Sequence, residues 1–426
     1  MKTKILILLL AFAFTAQSCG LAPSNRGKKI DLTWWKPFDT KEMVQPLVET
    51  FQKANPNVRI NYVQKNIETY EDELVDALAA GQGPDIFSIH NDWLPKHKDK
   101  MAVAPEKTFS LREFRESFLE VANFDLVSES KIYAVPLAVD VLALYYNKDI
   151  FNSAGFPRPP ATWEEMVDMA PKLTKQDALG NFQRSAVALG TADNINRATD
   201  ILSLLMLQNG TPLSSAEGVS TIDQPIRDQT GGSYVPGARA LEFYTQFANP
   251  QKVTYTWNSR SNNSIDAFAS GQAAMIFSYS YLRDILRDKA PFLNYAVAPA
   301  PQIDPAASRV NYANYWAEGV AKQSREQEAA WQFLKFISQK DALAKYYDVK
   351  KQASARLDLI EAQIPDSEIG LFAENALSAK SFHKPDSDAI ENIFAQMIND
   401  VILRNILPAD AIRAASQKIQ LLIRNF

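Results

Sequence analysis

The strongest constraint on the fold is a switch between two periodicities over the first part of the chain. Lys29–Trp35 (KIDLTWW) alternates and then turns apolar, the pattern of an opening strand. Val44, Leu47, Val48 and Phe51 follow at helical spacing, and Asn55-Pro56-Asn57 ends that run. Pro46 lacks an amide hydrogen, so the regular helix is expected to start near it. Val58–Val63 (VRINYV) alternates again. Tyr70, Leu74, Ala77 and Leu78 mark a second helix, stopped by Gly81-Gln82-Gly83-Pro84, and Asp85–Ile89 (DIFSI) reads as a buried third strand. Strands joined through helices pair in parallel, with the helices covering the sheet faces. The fold class is therefore α/β. At 426 residues the chain exceeds what one core organises, so two lobes are expected.

The remainder continues the theme. Lys131–Tyr146 is an extended run interrupted by Pro136. Thr162-Trp163-Glu164-Glu165 is a capping box that opens a helix, and further helices lie near Arg197–Gln208 and Pro236–Phe247. Ala267–Tyr281 reads as a helix end, a glycine turn and a buried strand, and Asn294–Pro301 as another strand. Ser324, with Gln327 in box position, is expected to cap a helix whose inner face is Ala330, Phe333, Leu334 and Ile337. Two amphipathic helices close the chain, one around Ile390–Val401 and one around Ile412–Leu422. Trp163 and Trp331 read as packing residues.

Residues 1–20 carry Lys2 and Lys4 before an apolar run from Ile5 to Phe14. That run is about half the length a bilayer-spanning helix needs, so it reads as a secretory signal. The single cysteine, Cys19, directly follows Ala16-Gln17-Ser18. This resembles a bacterial lipobox, which implies a diacylated Cys19 as the mature N-terminus and attachment to the outer face of the membrane. A plain signal peptide with an incidental cysteine is the alternative. Gly20–Lys28 reads as a flexible tether. Lys+Arg number 45 against 49 Asp+Glu, a balance that argues against a nucleic-acid partner.

Motifs of catalysis are missing. The three histidines, His90, His97 and His383, form no HExxH or paired ligand spacing, and one cysteine cannot assemble a zinc site, so neither metal nor cofactor is expected. GxSxG, GxxxxGK[ST] and GxGxxG do not occur. Instead, aromatics gather at element ends beside Asp, Asn or Glu: Trp34-Trp35, Asn91-Asp92-Trp93, Tyr145-Tyr146-Asn147, Tyr279 and Tyr281, and Asn314-Tyr315-Trp316. Ligands of open α/β sheets bind beyond the carboxyl ends of the strands. Flat apolar faces rimmed by hydrogen-bonding groups suit a neutral polyhydroxylated ligand.

Seven stretches in order carry a resemblance to the extracellular solute-binding proteins of sugar ABC transporters, the maltose-binding-protein-like group. They are Leu32–Trp34, Phe51–Val63, Gly81–Asp92 (GQGPDIFSIHND), Tyr133–Phe151, Pro159–Met166 (PPATWEEM), Ala267–Tyr281 and Tyr315–Ser324 (YWAEGVAKQS). The resemblance implies a two-lobed periplasmic-binding-protein-like fold of type II, closing about a multi-crossing hinge on a ligand in the cleft. The implied division is 1–18 signal peptide, 19–28 lipidated tether, 29–138 and 310–352 lobe I, and 142–302 and 356–426 lobe II. Crossings are expected at Pro136–Val141, Gln302–Val310 and Gln352–Arg356. Carried over position by position, the ligand-binding residues are Trp34, Trp35, Lys36, Asp92, Asp140, Tyr281 and Trp316. Asp92 and Asp140 would accept sugar hydroxyls, and Tyr281 would stack. The implied partners are a small solute, a sugar first of all, an ABC permease and the membrane through Cys19, the protein itself being a monomer. A polyamine, glycerol phosphate or peptide as the solute stays open, with Lys36 and Arg356 as cations for a phosphate ester. So does an exported glycan hydrolase using the Asp pair.

Overall fold

The computed structural model describes residues 28–213, 219–227, 231–304, 306–384 and 386–423. The signal segment and Cys19 lie outside the described residues. The first lobe is built on β1 (Ile30–Pro37), β2 (Val58–Lys65) and β3 (Ile86–His90), with β1 paired in parallel to both of the others. Helices α1 (Lys41–Ala54) and α2 (Tyr70–Ala79) make the crossovers. Helix α1 starts five residues ahead of Pro46, earlier than expected. A proline there removes one intrahelical hydrogen bond, and the buried Val44, Leu47 and Val48 hold the turn against the sheet regardless.

The second lobe has a sheet of five strands. Lys175–Gln176 is at one edge, followed by Phe182–Val187, Ala273–Ser278, Ala143–Asn147 and Tyr295–Pro299. Helix α3 (Trp163–Leu173) packs on it, and Thr162 caps that helix as expected, accepting from the Glu165 amide at 3.1 Å. Trp163 stacks on Phe277 at 5.4 Å, and Trp331 is fully buried. Helices α4 (Ala198–Gln208), α5 (Pro236–Thr245), α6 (Leu282–Lys289) and the closing pair α9 (Ser387–Arg404) and α10 (Pro408–Ile423) complete this lobe; α7 (Gln327–Ile337) and α8 (Lys340–Val349) pack against α1 in the first. Ser324 does not cap α7. Its hydroxyl donates to Asp85 at 2.6 Å and Glu326 takes the cap position, because the loop is drawn onto the strand end.

Short strands join the lobes. Asp140–Val141 pairs antiparallel with Asn311–Asn314, which also pairs with Ala379–Lys380. Trp316–Ala321 then enters the first sheet beside β3. The return passage therefore runs through 311–314 and not through 302–310. Gln302 is held by the second lobe, its amide bonded to the Ala161 carbonyl, and Gln208 donates to the carbonyls of Pro301 and Val310. A further strand contact, Ala138 with Ser354, sits beside the first passage. Among the described residues no helix is long and apolar enough to cross a membrane.

Candidate functional site

The joining strands leave a cleft of about 980 Å³ between the two sheets. On the first lobe, β1 runs two residues beyond Trp35, so its last turn into the cleft is made by Lys36, Pro37 and Phe38. This corrects two of the expected ligand-binding residues. Trp34 is fully buried, with its ring edge-on to Tyr62 and Phe333 and its Nε1 donating to Glu318 at 2.8 Å. Trp35 points to the other sheet face, where Lys65 Nζ lies 3.9 Å from its ring centroid. Neither lines the cleft.

Lys36 does line it, but its ammonium is spoken for. It pairs with Glu318 and lies 3.3 Å from Asp39 Oδ2; Asp39 also pairs with Lys350 and accepts from Tyr346 at 2.7 Å. Burial alone would lower the Lys36 value, and Glu318 and Asp39 outweigh it and hold the ammonium above its ordinary range. Two lysines and two carboxylates thus form a neutral, buried floor.

Above that floor stands an aromatic wall. Trp316 meets Phe38 at 5.8 Å, His90 at 5.4 Å and Trp93 at 5.1 Å, all edge-on. Phe38 is 54% exposed and has a φ of 63°, a left-handed backbone that a bulky residue adopts at a cost of about 1–2 kcal/mol. Apolar exposure and backbone strain at one residue on a cleft mark a display position.

Asp92 sits at the end of β3 and is 2% exposed. Its Oδ1 lies 2.5 Å from His90 Nδ1 and accepts from Ser387 at 2.9 Å, while Oδ2 is 3.0 Å from Lys384 Nζ. Burial alone would raise this carboxyl; His90 and Lys384 outweigh it and hold it well below the ordinary carboxylate range. Both partners from the 384–387 segment belong to the entry into α9, so Asp92 bolts a second-lobe helix to a first-lobe strand. Behind it, Asp125 accepts from Tyr315 at 2.6 Å, from Asn91 at 3.1 Å and from Ser381, and burial pushes it up to about 7.

Asp140 occupies the joining strand. Its Oδ2 accepts from the Ser280 amide at 2.9 Å and hydroxyl at 2.5 Å, and burial pushes it up to about 6 against the pull of those bonds. A carboxyl with a folded-state value above its unfolded one costs stability once ionised. The cost is absent below about pH 4, grows as the pH rises through about 6 and is complete above that. Two units correspond to about 3 kcal/mol. Between pH 4 and pH 7.5, wild type should therefore lose about 2–3 kcal/mol more than Asp140→Asn, whose side-chain oxygen still accepts from Ser280. Denaturant unfolding at both pH values measures this, and identical pH dependence of the two proteins would remove the buried charge from the account.

On the facing wall, Tyr281 donates its hydroxyl to Asn196 at 3.0 Å and leaves its ring half-buried beside the cleft. Arg197 also lines it, its guanidinium 5.5 Å from the Tyr281 ring centroid. Arg356 is not part of the cleft; it forks onto Asp358 at 2.8 and 2.9 Å. The structure thus brings together Lys36, Asp92, Asp140, Tyr281 and Trp316. Phe38, His90, Arg197 and Lys384 join them without having been expected at the site, and Trp93, noted among the aromatics at element ends, joins them too. Trp93 carried a signal, an aromatic following Asp92 at a strand end; Arg197 and Lys384 carried none. Among the described residues no group of three or more His, Cys, Asp or Glu side chains is placed to hold a metal ion.

A family profile described as bacterial extracellular solute-binding protein matches residues 46–369. A binding protein of Brucella abortus (strain 2308) is 27% identical over 305 residues, covering 70% of this chain and 69% of its own. The galactooligosaccharide-binding protein of Bacillus subtilis (strain 168) is 20% identical over 356 residues, covering 82% and 80%. The solved structure of the sugar-binding protein MalE from Xanthomonas citri shares the fold, with a TM-score of 0.75 at 18% identity over 93% of this chain and 98% of that one.

Proposed function

The chain belongs to the family of bacterial extracellular solute-binding proteins, and from that premise we propose that its solute is a carbohydrate, a mono- or oligosaccharide delivered to an ABC-transporter permease. The observation that carries this reading is the cleft wall of Phe38, Trp93 and Trp316 facing Tyr281, with charged and amide groups at the rims. Sugar rings present apolar C–H faces to aromatic planes and hydroxyls to carboxylates and amides. The names of the Bacillus and Xanthomonas relatives point the same way. In this reading Lys36, Asp92, Asp140, Tyr281 and Trp316 border the ligand, the lobes close on it by a hinge motion, and the solute leaves chemically unchanged. Titration calorimetry against neutral and acidic sugars, polyols, polyamines and phosphate esters tests it. Saturable binding of a sugar supports the reading; binding confined to amines or phosphate esters overturns it.

The same reading includes attachment through Cys19. Two acyl chains hold a protein stably on a bilayer where one does not. Cys19→Ala should move the protein from the membrane to the soluble fraction and end its labelling by fatty acid. A variant that stays with the membrane removes the anchor.

A further inference from the structure

The cations of the cleft differ in how far their charge is already used. Lys36 and Lys350 are paired with Glu318 and Asp39, Lys384 with Asp92, and Arg287 with Asp284 at 2.9 Å. Arg283 spends all three of its donor nitrogens on the carbonyls of Ser280, Glu368 and Lys351. Lys351, which also lines the cleft, is exposed and carries an ammonium, not a planar fork. Arg197 is different. Its Nε donates to the Tyr281 hydroxyl at 3.1 Å, and among the described residues no acceptor meets its two terminal nitrogens. Its guanidinium lies 5.5 Å from the ring centroids of both Tyr279 and Tyr281, and among the described residues it forms no ion pair with a carboxylate. Asp200, one turn along α4, accepts from the Tyr279 hydroxyl at 2.9 Å; its charge favours the guanidinium from a distance without bonding its terminal nitrogens.

The backbone supports the same residue. Five non-glycine residues among those described have a positive φ. Glu129 and Ser130 make the two-residue turn between paired strands, and Asn405 ends α9, both ordinary uses of that conformation. Phe38 and Arg197 have no such use, and both line the cleft. Arg197, at φ 68° and ψ 27°, is the residue before the first turn of α4, where a Ser, Asp or Asn would instead cap the helix. A local cap and a relaxed backbone are both given up to place a guanidinium here.

We propose that Arg197 is a specificity-determining ligand residue for an acidic sugar, its free guanidinium fork receiving the carboxylate of a hexuronic acid unit in the cleft. The inference rests on the carbohydrate reading above. A planar fork matches a carboxylate with two parallel hydrogen bonds, a geometry a hydroxyl cannot use and an ammonium cannot provide. Tyr279 and Tyr281 hold the fork in place from one side, so little side-chain freedom is lost when the ligand arrives.

Calorimetry on the full chain with galacturonate or glucuronate disaccharides, their neutral galactose or glucose counterparts and the corresponding sugar phosphates tests the assignment. Wild type should bind a uronate disaccharide at least tenfold more tightly than its neutral counterpart and more tightly than the sugar phosphate. In Arg197→Gln that preference should collapse by about ten- to a hundredfold. Arg197→Lys keeps the charge without the fork and should recover only part of it. Thermal unfolding of the unliganded variants checks that they fold, and Arg197→Lys covers the case in which the glutamine variant does not. Neutral sugars binding as tightly as uronates would overturn this proposal and leave the carbohydrate reading standing. A preference for the sugar phosphate would move the anion from carboxylate to phosphate and also overturn it. No binding of any sugar would end both.

Discussion

Replacing Glu318 by alanine should destabilise the protein by about 3–5 kcal/mol, because it leaves the ammoniums of Lys36 and Lys350 to share the single buried carboxylate of Asp39. Glu318 is fully buried and accepts from Lys36, from Trp34 Nε1 at 2.8 Å and from the Ser88 hydroxyl at 2.8 Å. Alanine removes all three bonds at once and leaves Lys36, at 5% exposure, with only Asp39, which Lys350 already holds. Denaturant midpoints at constant slope measure the loss. The informative control is the double variant Lys36→Met with Glu318→Gln, which removes the stranded charge while keeping an acceptor for Trp34. It should regain most of the loss, since replacing both members of a buried pair is often close to neutral. If the double variant is no more stable than Glu318→Ala, the lost packing, and not the orphaned charge, accounts for the defect.

Asp92→Ala should have an effect of similar size, about 3–5 kcal/mol, and for a related reason. From composition and resemblance alone Asp92 is a sugar acceptor whose loss weakens binding while the unliganded protein folds normally. Its surroundings change that expectation. Lys384 is 3% exposed and has its carboxylate partner in Asp92 at 3.0 Å, and His90 and Ser387 use the other oxygen. Truncation therefore leaves an unpaired buried ammonium and unfastens α9 from β3, so stability falls before any ligand is added. The folded-state value of Asp92 is lowered, so its contribution is present above the unfolded carboxylate range and is lost only in strong acid. The stability gap between wild type and Asp92→Ala should thus be constant from about pH 5 to 8 and narrow only below about pH 4. Adding Lys384→Met should restore part of the stability. An Asp92→Ala protein that unfolds with wild type would return the residue to a purely ligand-facing role.

The sequence by itself determined the α/β class and most of its elements. The signals for these are local: alternation for β1, β2 and β3, the Thr162 cap, the apolar stripes of α9 and α10. A strand's period or a cap's hydrogen bond is completed within a few residues, so a linear reading captures it. It also placed Asp92, Tyr281 and Trp316 at element ends, and the family resemblance added Asp140 in the joining strand; all four line one cleft. What it could not decide was which side chains at those ends face the cleft and which face the core. Trp34 and Lys36 lie two apart on one sheet face, and only Glu318, hundreds of residues later, makes that face the buried one for Trp34 and the floor of the cleft for Lys36. The join at 311–314 was equally illegible, since its strand is defined by pairing with Asp140–Val141 and by nothing in its own four residues. Likewise the roles of Lys384 and Arg197 depend on whether a carboxylate stands opposite. Asp92 answers the lysine, and among the described residues no carboxylate answers the arginine's fork. Partnering of a buried charge is a relation between distant segments, and the energy at stake is decided by that relation, not by the residue type.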